Sequence, residues 1–232
     1  MNSAGQIALA LIVVVGYPVW DWFHMRHARA QRTPAVRLML YRTIVVVLWA
    51  TAVCAVWLVG NDFQHLAVTG FPSLQITTGI AWGLCGGVLV ATLGSLAAVY
   101  VSKPVAVKFG SALAPISFLL PRSVSERWWF AAVSVTAGVC EEIIYRGFLP
   151  HVGTAVLGMH WVPVVVISLL AFGTAHTYQG VRGAIGATLL GGVFMAIYLG
   201  LGVLWPAMVV HALIDLRIAL LPERAMPAQR LQ

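Results

Sequence analysis

Residues 140–146 read Cys-Glu-Glu-Ile-Ile-Tyr-Arg, in a stretch otherwise apolar enough for a membrane. An ionisable group at membrane depth costs from ~2.5 to over 10 kcal/mol, so its presence there points to function. Two neighbouring acids cost more still, because like charges repel. Glu142 and Arg146 stand four apart, on one helical face, and can neutralise each other. Glu141 lies about 100° around the helix and has no such local partner. A structural pair accounts for Glu142 and Arg146 and leaves Glu141 unexplained. Of the acids, Glu141, Glu142 and Asp215 are assigned to apolar spans, and His176 and His211 join them. His211 and Asp215 share a helical face at a spacing of four, as do Phe172 and His176. Polar groups in a membrane bundle turn inward, toward one another or toward water. Three helices that each bring acids or an imidazole inward would build one polar pocket.

The elements that must position these groups are transmembrane helices. The chain of 232 residues is 60% hydrophobic and only 9% charged, against about 25% charged in a soluble domain. The expected fold is all-α, a polytopic bundle of about seven spans. Spans are expected at residues 7–23, 43–60, 79–101, 128–148, 161–176, 183–201 and 204–221. Spans four to seven would form a four-helix catalytic core. Residues 1–127 then carry the N-terminal helices and basic loops, residues 128–221 the core, and residues 222–232 a polar tail. One basic loop is expected around Arg26, Arg29, Arg32, Arg37 and Arg42, and a second over residues 102–127. Within the second, residues 112–120 are apolar but too short to span, and read as interfacial or re-entrant. The loop at residues 61–77 carries Asp62 and no basic residue.

The net charge of +7 sits in loops between spans, which fits membrane orientation and not nucleic acid. Its distribution predicts a multi-pass protein of the cell membrane with the N-terminus outside and the C-terminus cytoplasmic. Met1 to Gln6 hold no lysine or arginine, which speaks against a cleavable signal peptide. Cys54, Cys85 and Cys140 fall in apolar segments and read as buried hydrophobes with no metal spacing. Glycines 83, 87, 94, 183 and 191 read as helix-packing positions. Glu141 presents one depth problem. It lies about 13 residues, ~20 Å, beyond the Trp128–Trp129 anchor, whereas His176 stands at the inner end of its span.

Three motifs stand in order on hydrophobic helices: Glu141-Glu142-x-x-x-Arg146, Phe172-x-x-x-His176 and His211-x-x-x-Asp215. Together they resemble the CAAX-protease and bacteriocin-processing family of intramembrane endopeptidases (CPBP, ABI). The resemblance covers about residues 128–221; the first three spans carry no motif. It implies an intramembrane protease that hydrolyses a peptide bond of a membrane-associated protein or peptide, near the substrate's C-terminus. In that family's terms Glu141 would take a proton from water, and His176 would hold and polarise that water. His211 and Asp215 would stabilise the oxyanion or bind a metal. Glu142 and Arg146 would orient Glu141, and Phe172 and Tyr145 would line the substrate pocket.

The metal requirement stays open at this point. Zinc catalysis needs three protein ligands and an open position, and His176, His211 and either Asp215 or a glutamate could supply them. No His-Glu-x-x-His motif is present, and the metal-free route uses a glutamate base with an oxyanion hole. The commoner family pattern has Asn at the place of Asp215. An ionised carboxylate there repels an oxyanion, so Asp215 must be protonated, orient His211 or ligate a metal. Two other readings compete: a proton- or ion-coupled transporter, and a non-catalytic immunity or scaffold protein of the membrane. The absence of Gly-x-Ser-x-Gly leaves a serine mechanism without support, and no nucleotide-binding loop is present.

Overall fold

The computed structural model describes residues 3–60 and 77–227, which form eight helices and, among the described residues, no strand. They are α1 Ser3–Gln31, α2 Pro34–Val59, α3 Thr78–Val101, α4 Lys103–Ala112, α5 residues 124–156, α6 Trp161–Ala175, α7 Val181–Leu201 and α8 Trp205–Ala219. Helices α1, α2, α3 and α7 are long and apolar enough to cross a membrane. The protein is an all-α membrane protein. The Asp62 loop falls outside the described residues, apart from Thr77 at its end.

The basic loop expected at Arg26 to Arg42 is only a tight turn. Arg32 adopts the left-handed conformation (φ 49°) and closes α1. Thr33 then caps α2 through a 3.3 Å bond from the Val36 N–H, and Pro34 occupies the first turn, where its missing N–H costs nothing. Arg26 and Arg29 therefore ride on α1, and Arg37 and Arg42 on α2. Three of these guanidiniums lie over aromatic faces, Arg26 over Trp22 at 5.3 Å, Arg29 over Phe118 at 5.1 Å and Arg42 over Trp129 at 5.1 Å. The apolar stretch at residues 112–120 folds back into the bundle. Phe118 and Leu119 pack against Met25, Tyr41 and Phe130, and the Tyr41 hydroxyl donates to the Leu119 carbonyl at 2.6 Å.

Helix α5 opens on a capping box. The Glu126 N–H donates to Ser123 Oγ at 3.2 Å, and Glu126 Oε2 accepts from the Ser123 N–H at 3.1 Å. Its other oxygen receives two bonds from Arg37, at 3.1 and 3.0 Å, which ties α2 to α5 in the interior. The helix then continues two turns beyond the expected end at residue 148. Pro150 does not stop it, because wide π-helical turns at Ile143–Phe148 and Val152–Val156 flank the proline. A proline removes one rung of the i→i−4 ladder, and a widened turn re-registers the backbone around the gap. The same device recurs in α1, where a π-helical turn at Ile12–Gly16 precedes Pro18.

Helix α8 lies hard against α5. A Cβ at Gly138 would come within 2.6 Å of the Ala212 backbone nitrogen, so glycine permits the approach that sets His211 beside the α5 acids. Helix α6 has 15 residues, about 22 Å, shorter than the ~30 Å hydrocarbon core. Its end at Ala175 lies beside the middle of the much longer α5, where Ser168 bonds the Tyr145 carbonyl and His176 shares a cavity with Glu141. The depth problem came from ending span four too early and from treating the close of a short helix as a membrane face.

Candidate active site

The site begins with how α6 ends. His176 follows its last residue, and its Nδ1 lies 2.7 Å from the Phe172 carbonyl. A carbonyl only accepts, so Nδ1 carries the proton and the neutral ring presents a lone pair at Nε2. The Phe172 ring, buried, packs 4.5 Å from His176, edge-on to Tyr145 at 5.2 Å, and beneath the Arg146 guanidinium at 4.2 Å. Ser168 of the same helix donates to the Tyr145 carbonyl, which pins α6 to the wide turn of α5.

Glu142 is the hub on α5. Its Oε1 stands 3.1 Å from Arg146 NH1 and 2.8 Å from His211 Nδ1. The pair expected from spacing alone is therefore a triad with a histidine from α8. Since the carboxylate accepts, His211 Nδ1 carries a proton and Nε2 faces the remaining acids. Glu141 Oε2 and Asp215 Oδ2 each lie 3.7 Å from His211 Nε2, beyond direct hydrogen bonding. Phe194 of α7 stacks on His211 at 4.8 Å and approaches Arg146 at 5.4 Å. Gly191, one turn before it, leaves room for the guanidinium: a Cβ there would meet Arg146 NH2 at 2.7 Å.

All six polar residues singled out in the sequence thus converge on one region, but in two layers. Glu141, His176 and Tyr145 line a cavity of about 60 Å³. His211, Asp215, Glu142 and Arg146 reach Glu141 from behind and do not line it, nor does Phe172. Asp215 has a side chain 38% exposed, whereas Glu142 and Arg146 are fully enclosed. Among the described residues, no three His, Cys, Asp or Glu side chains are grouped to hold a metal ion. Both histidines engage Nδ1, which leaves Nε2 of each ring as the nitrogen open to a water or a ligand.

The opposite wall comes from a part of the chain that sequence reasoning set aside. Tyr17, Trp20, Asp21 and Met25 of α1 and Ile44, Val47 and Leu48 of α2 complete the cavity. Asp21 lies inside α1, so the acids within helical spans include it as well as Glu141, Glu142 and Asp215. The signal was present: Asp21 stands within the apolar stretch of residues 7–23, four residues after Tyr17. The Tyr17 hydroxyl donates to Thr51 of α2, which fixes this wall.

Residues 123–217 match the family model described as Type II CAAX prenyl endopeptidase Rce1-like. No curated protein and no solved structure matches the chain. The matched segment contains Glu141, Glu142, Arg146, Phe172, His176, His211 and Asp215, and leaves out α1 with Asp21. Over residues 123–217, less than half of the chain, the protein is thus similar to the CAAX prenyl endopeptidases, and the three motifs that converge in space all lie within that segment.

Proposed function

We propose that this protein hydrolyses a peptide bond of a membrane-associated substrate by activating water at Glu141. The observation that carries this reading is the shared cavity of Glu141 and His176. One offers a carboxylate and the other an imidazole lone pair, on facing helices in an enclosed space. Water between them would give its proton to Glu141 while its oxygen attacks the scissile carbonyl carbon. The tetrahedral oxyanion would be stabilised electrostatically by His211, which stands in the layer behind Glu141 with Nε2 3.7 Å from Glu141 Oε2 and Nδ1 on Glu142. Glu141 would then pass its proton to the departing amine as the C–N bond breaks, leaving a carboxylate product and a free amine. Asp215, at 3.7 Å from His211 Nε2, serves to orient the ring. Arg146 holds Glu142, and Phe172 holds both Arg146 and His176 in place.

The reading carries no step through a metal, because a glutamate base with electrostatic stabilisation of the oxyanion suffices for the hydrolysis. The substrate is a protein or peptide delivered by the bilayer and cut near its C-terminus. The four helices α5 to α8 form the catalytic core, with the N-terminus outside and the C-terminus in the cytoplasm. Against the transporter and scaffold alternatives, reconstituted protein with a lipid-tethered peptide decides. Glu141→Gln should abolish cleavage, by about 10³-fold or more, with peptide binding and folding retained. Cleavage that survives in Glu141→Gln, or ion flux that is lost with it, overturns the proposal. Chelators should leave the rate within about twofold; a loss restored by zinc would overturn the metal-free step.

A further inference from the structure

Asp21 is the one acid of the cavity that lies outside the matched family segment and takes no part in the mechanism above. Among the described residues it has no hydrogen bond and no ion pair. The lining around it holds Glu141, the His176 imidazole and four further aromatic side chains with polar groups (Tyr17, Trp20, Tyr145 and Tyr178), and no lysine or arginine. Asp21 and Glu141 line the same small cavity, where two carboxylates repel each other. An unmatched carboxylate at membrane depth is costly, and a second one facing it in a small enclosed space makes the cost larger. A cation relieves both at once. Aromatic faces around the acids suit the same guest, since ring quadrupoles attract ammonium and guanidinium groups.

The neighbouring surface has the opposite sign. A wider groove of about 530 Å³, lined by Trp22, Arg26, Arg29 and the turn at Thr177 and Gly180, adjoins the cavity through shared Met25 and Tyr178. Its two guanidiniums disfavour a cation at the mouth and leave the acidic cavity as the place where one settles. We propose that Asp21 is a specificity-determining residue that selects a lysine or arginine side chain next to the scissile bond, through a charge-assisted hydrogen bond inside the cavity. This rests on the peptidase reading. It adds a requirement that the α5–α8 core does not impose: α1 reads the substrate while α5 and α6 cut it.

The test uses full-length protein in liposomes and a pool of lipid-tethered peptides randomised on both sides of a central segment, with products read by mass spectrometry. Wild-type protein should cut bonds flanked by Lys or Arg about 10- to 100-fold more efficiently than matched bonds flanked by Leu or Gln. In Asp21→Asn and Asp21→Leu that ratio should fall to within about threefold of unity, with the loss in KM for basic peptides. A wild-type preference that is absent, or that persists in both variants, overturns the inference. So does an equal fall in kcat for every peptide, which would make Asp21 a positioning group for water. Cleavage that Glu141→Gln abolishes, without basic enrichment, sinks the role of Asp21 alone. Cleavage indifferent to Glu141→Gln sinks the peptidase reading and this inference with it.

Discussion

Two arginine–glutamate pairs are buried among the described residues, and they are built differently. Arg37 gives Glu126 two hydrogen bonds and gives a third, at 3.0 Å, to the Arg32 carbonyl. The other oxygen of Glu126 accepts from the Arg122 and Ser123 N–H groups, at 2.6 and 3.1 Å. Arg146 and Glu142 stand 3.1 Å apart, yet none of the guanidinium nitrogens meets a hydrogen-bond acceptor among the described residues, and Glu142 Oε2 is likewise unmatched. Aromatic faces surround that guanidinium in place of acceptors. Buried polar groups are satisfied as a rule, and exceptions call for an explanation. The saturated pair holds two helices together; the unsaturated pair keeps charge available beside His211.

The largest effects should separate these roles. Arg37→Ala strands a buried carboxylate oxygen that had two donors, and should cost about 3–5 kcal/mol of stability, read as a large drop in thermal midpoint or yield. Cleavage per folded molecule should be preserved. Glu142→Gln should weigh mainly on catalysis: cleavage about 10²-fold slower, with a stability loss smaller than that of Arg37→Ala, because the amide oxygen still accepts from His211 Nδ1 and still stands beside the Arg146 guanidinium. Matching stability losses in the two variants would erase the distinction. Arg146→Ala is expected between them. Glu142 keeps His211 as partner, so the stability loss should be smaller than for Arg37→Ala, and a loss of equal size would count against the comparison.

Gly191→Ala probes the space between the pair and the catalytic layer. The added methyl would meet Arg146 NH2 at 2.7 Å and Phe172 Cδ1 at 2.9 Å. Phe172 carries His176 on its other side, so the push should reach the cavity. Overpacking of this kind costs about 1–3 kcal/mol, and a reduction in cleavage of about tenfold should accompany it. If stability falls while kcat holds, Phe172 does not transmit position to His176.

How much of this was legible beforehand follows from the kind of signal each residue leaves. Glu141, Glu142, His176, His211 and Asp215 interrupt apolar runs, so each is visible as a cost the chain would not bear idly. Their convergence was inferable because membrane helices turn polar groups inward. The helix ends were misplaced because hydropathy marks where lipid contact stops, not where a helix stops: α5 continues past Pro150 through two wide turns that no periodicity reveals. The Arg26–Arg42 segment reads as a loop by charge, whereas aromatic partners let its arginines lie along helices. Asp21 was lost for a different reason. It sits near the end of an apolar stretch rich in tryptophan, where an acid passes for interfacial, and only the packing of α1 across from Glu141 gives it meaning. Glu126 was equally hidden among loop charges, since its partner Arg37 is remote in the chain.

The smallest change tests whether the structural pair depends on its cap. Ser123→Ala removes the oxygen that accepts from the Glu126 N–H at 3.2 Å, a loss of about 1 kcal/mol for an N-cap. Glu126 itself still accepts from the Ser123 N–H and from Arg37, so the carboxylate should stay in place and the penalty should not exceed that of the cap. Combined with Arg37→Ala, the two losses should be more than additive, because cap and ion pair then fail together on one side chain. Strict additivity in thermal unfolding would show that Glu126 is held by either set of donors independently. Cleavage per folded molecule should be the same in Ser123→Ala as in wild type, since the start of α5 lies about five turns from Glu141; a change in kcat would mean that the helix transmits strain along its whole length to the acid.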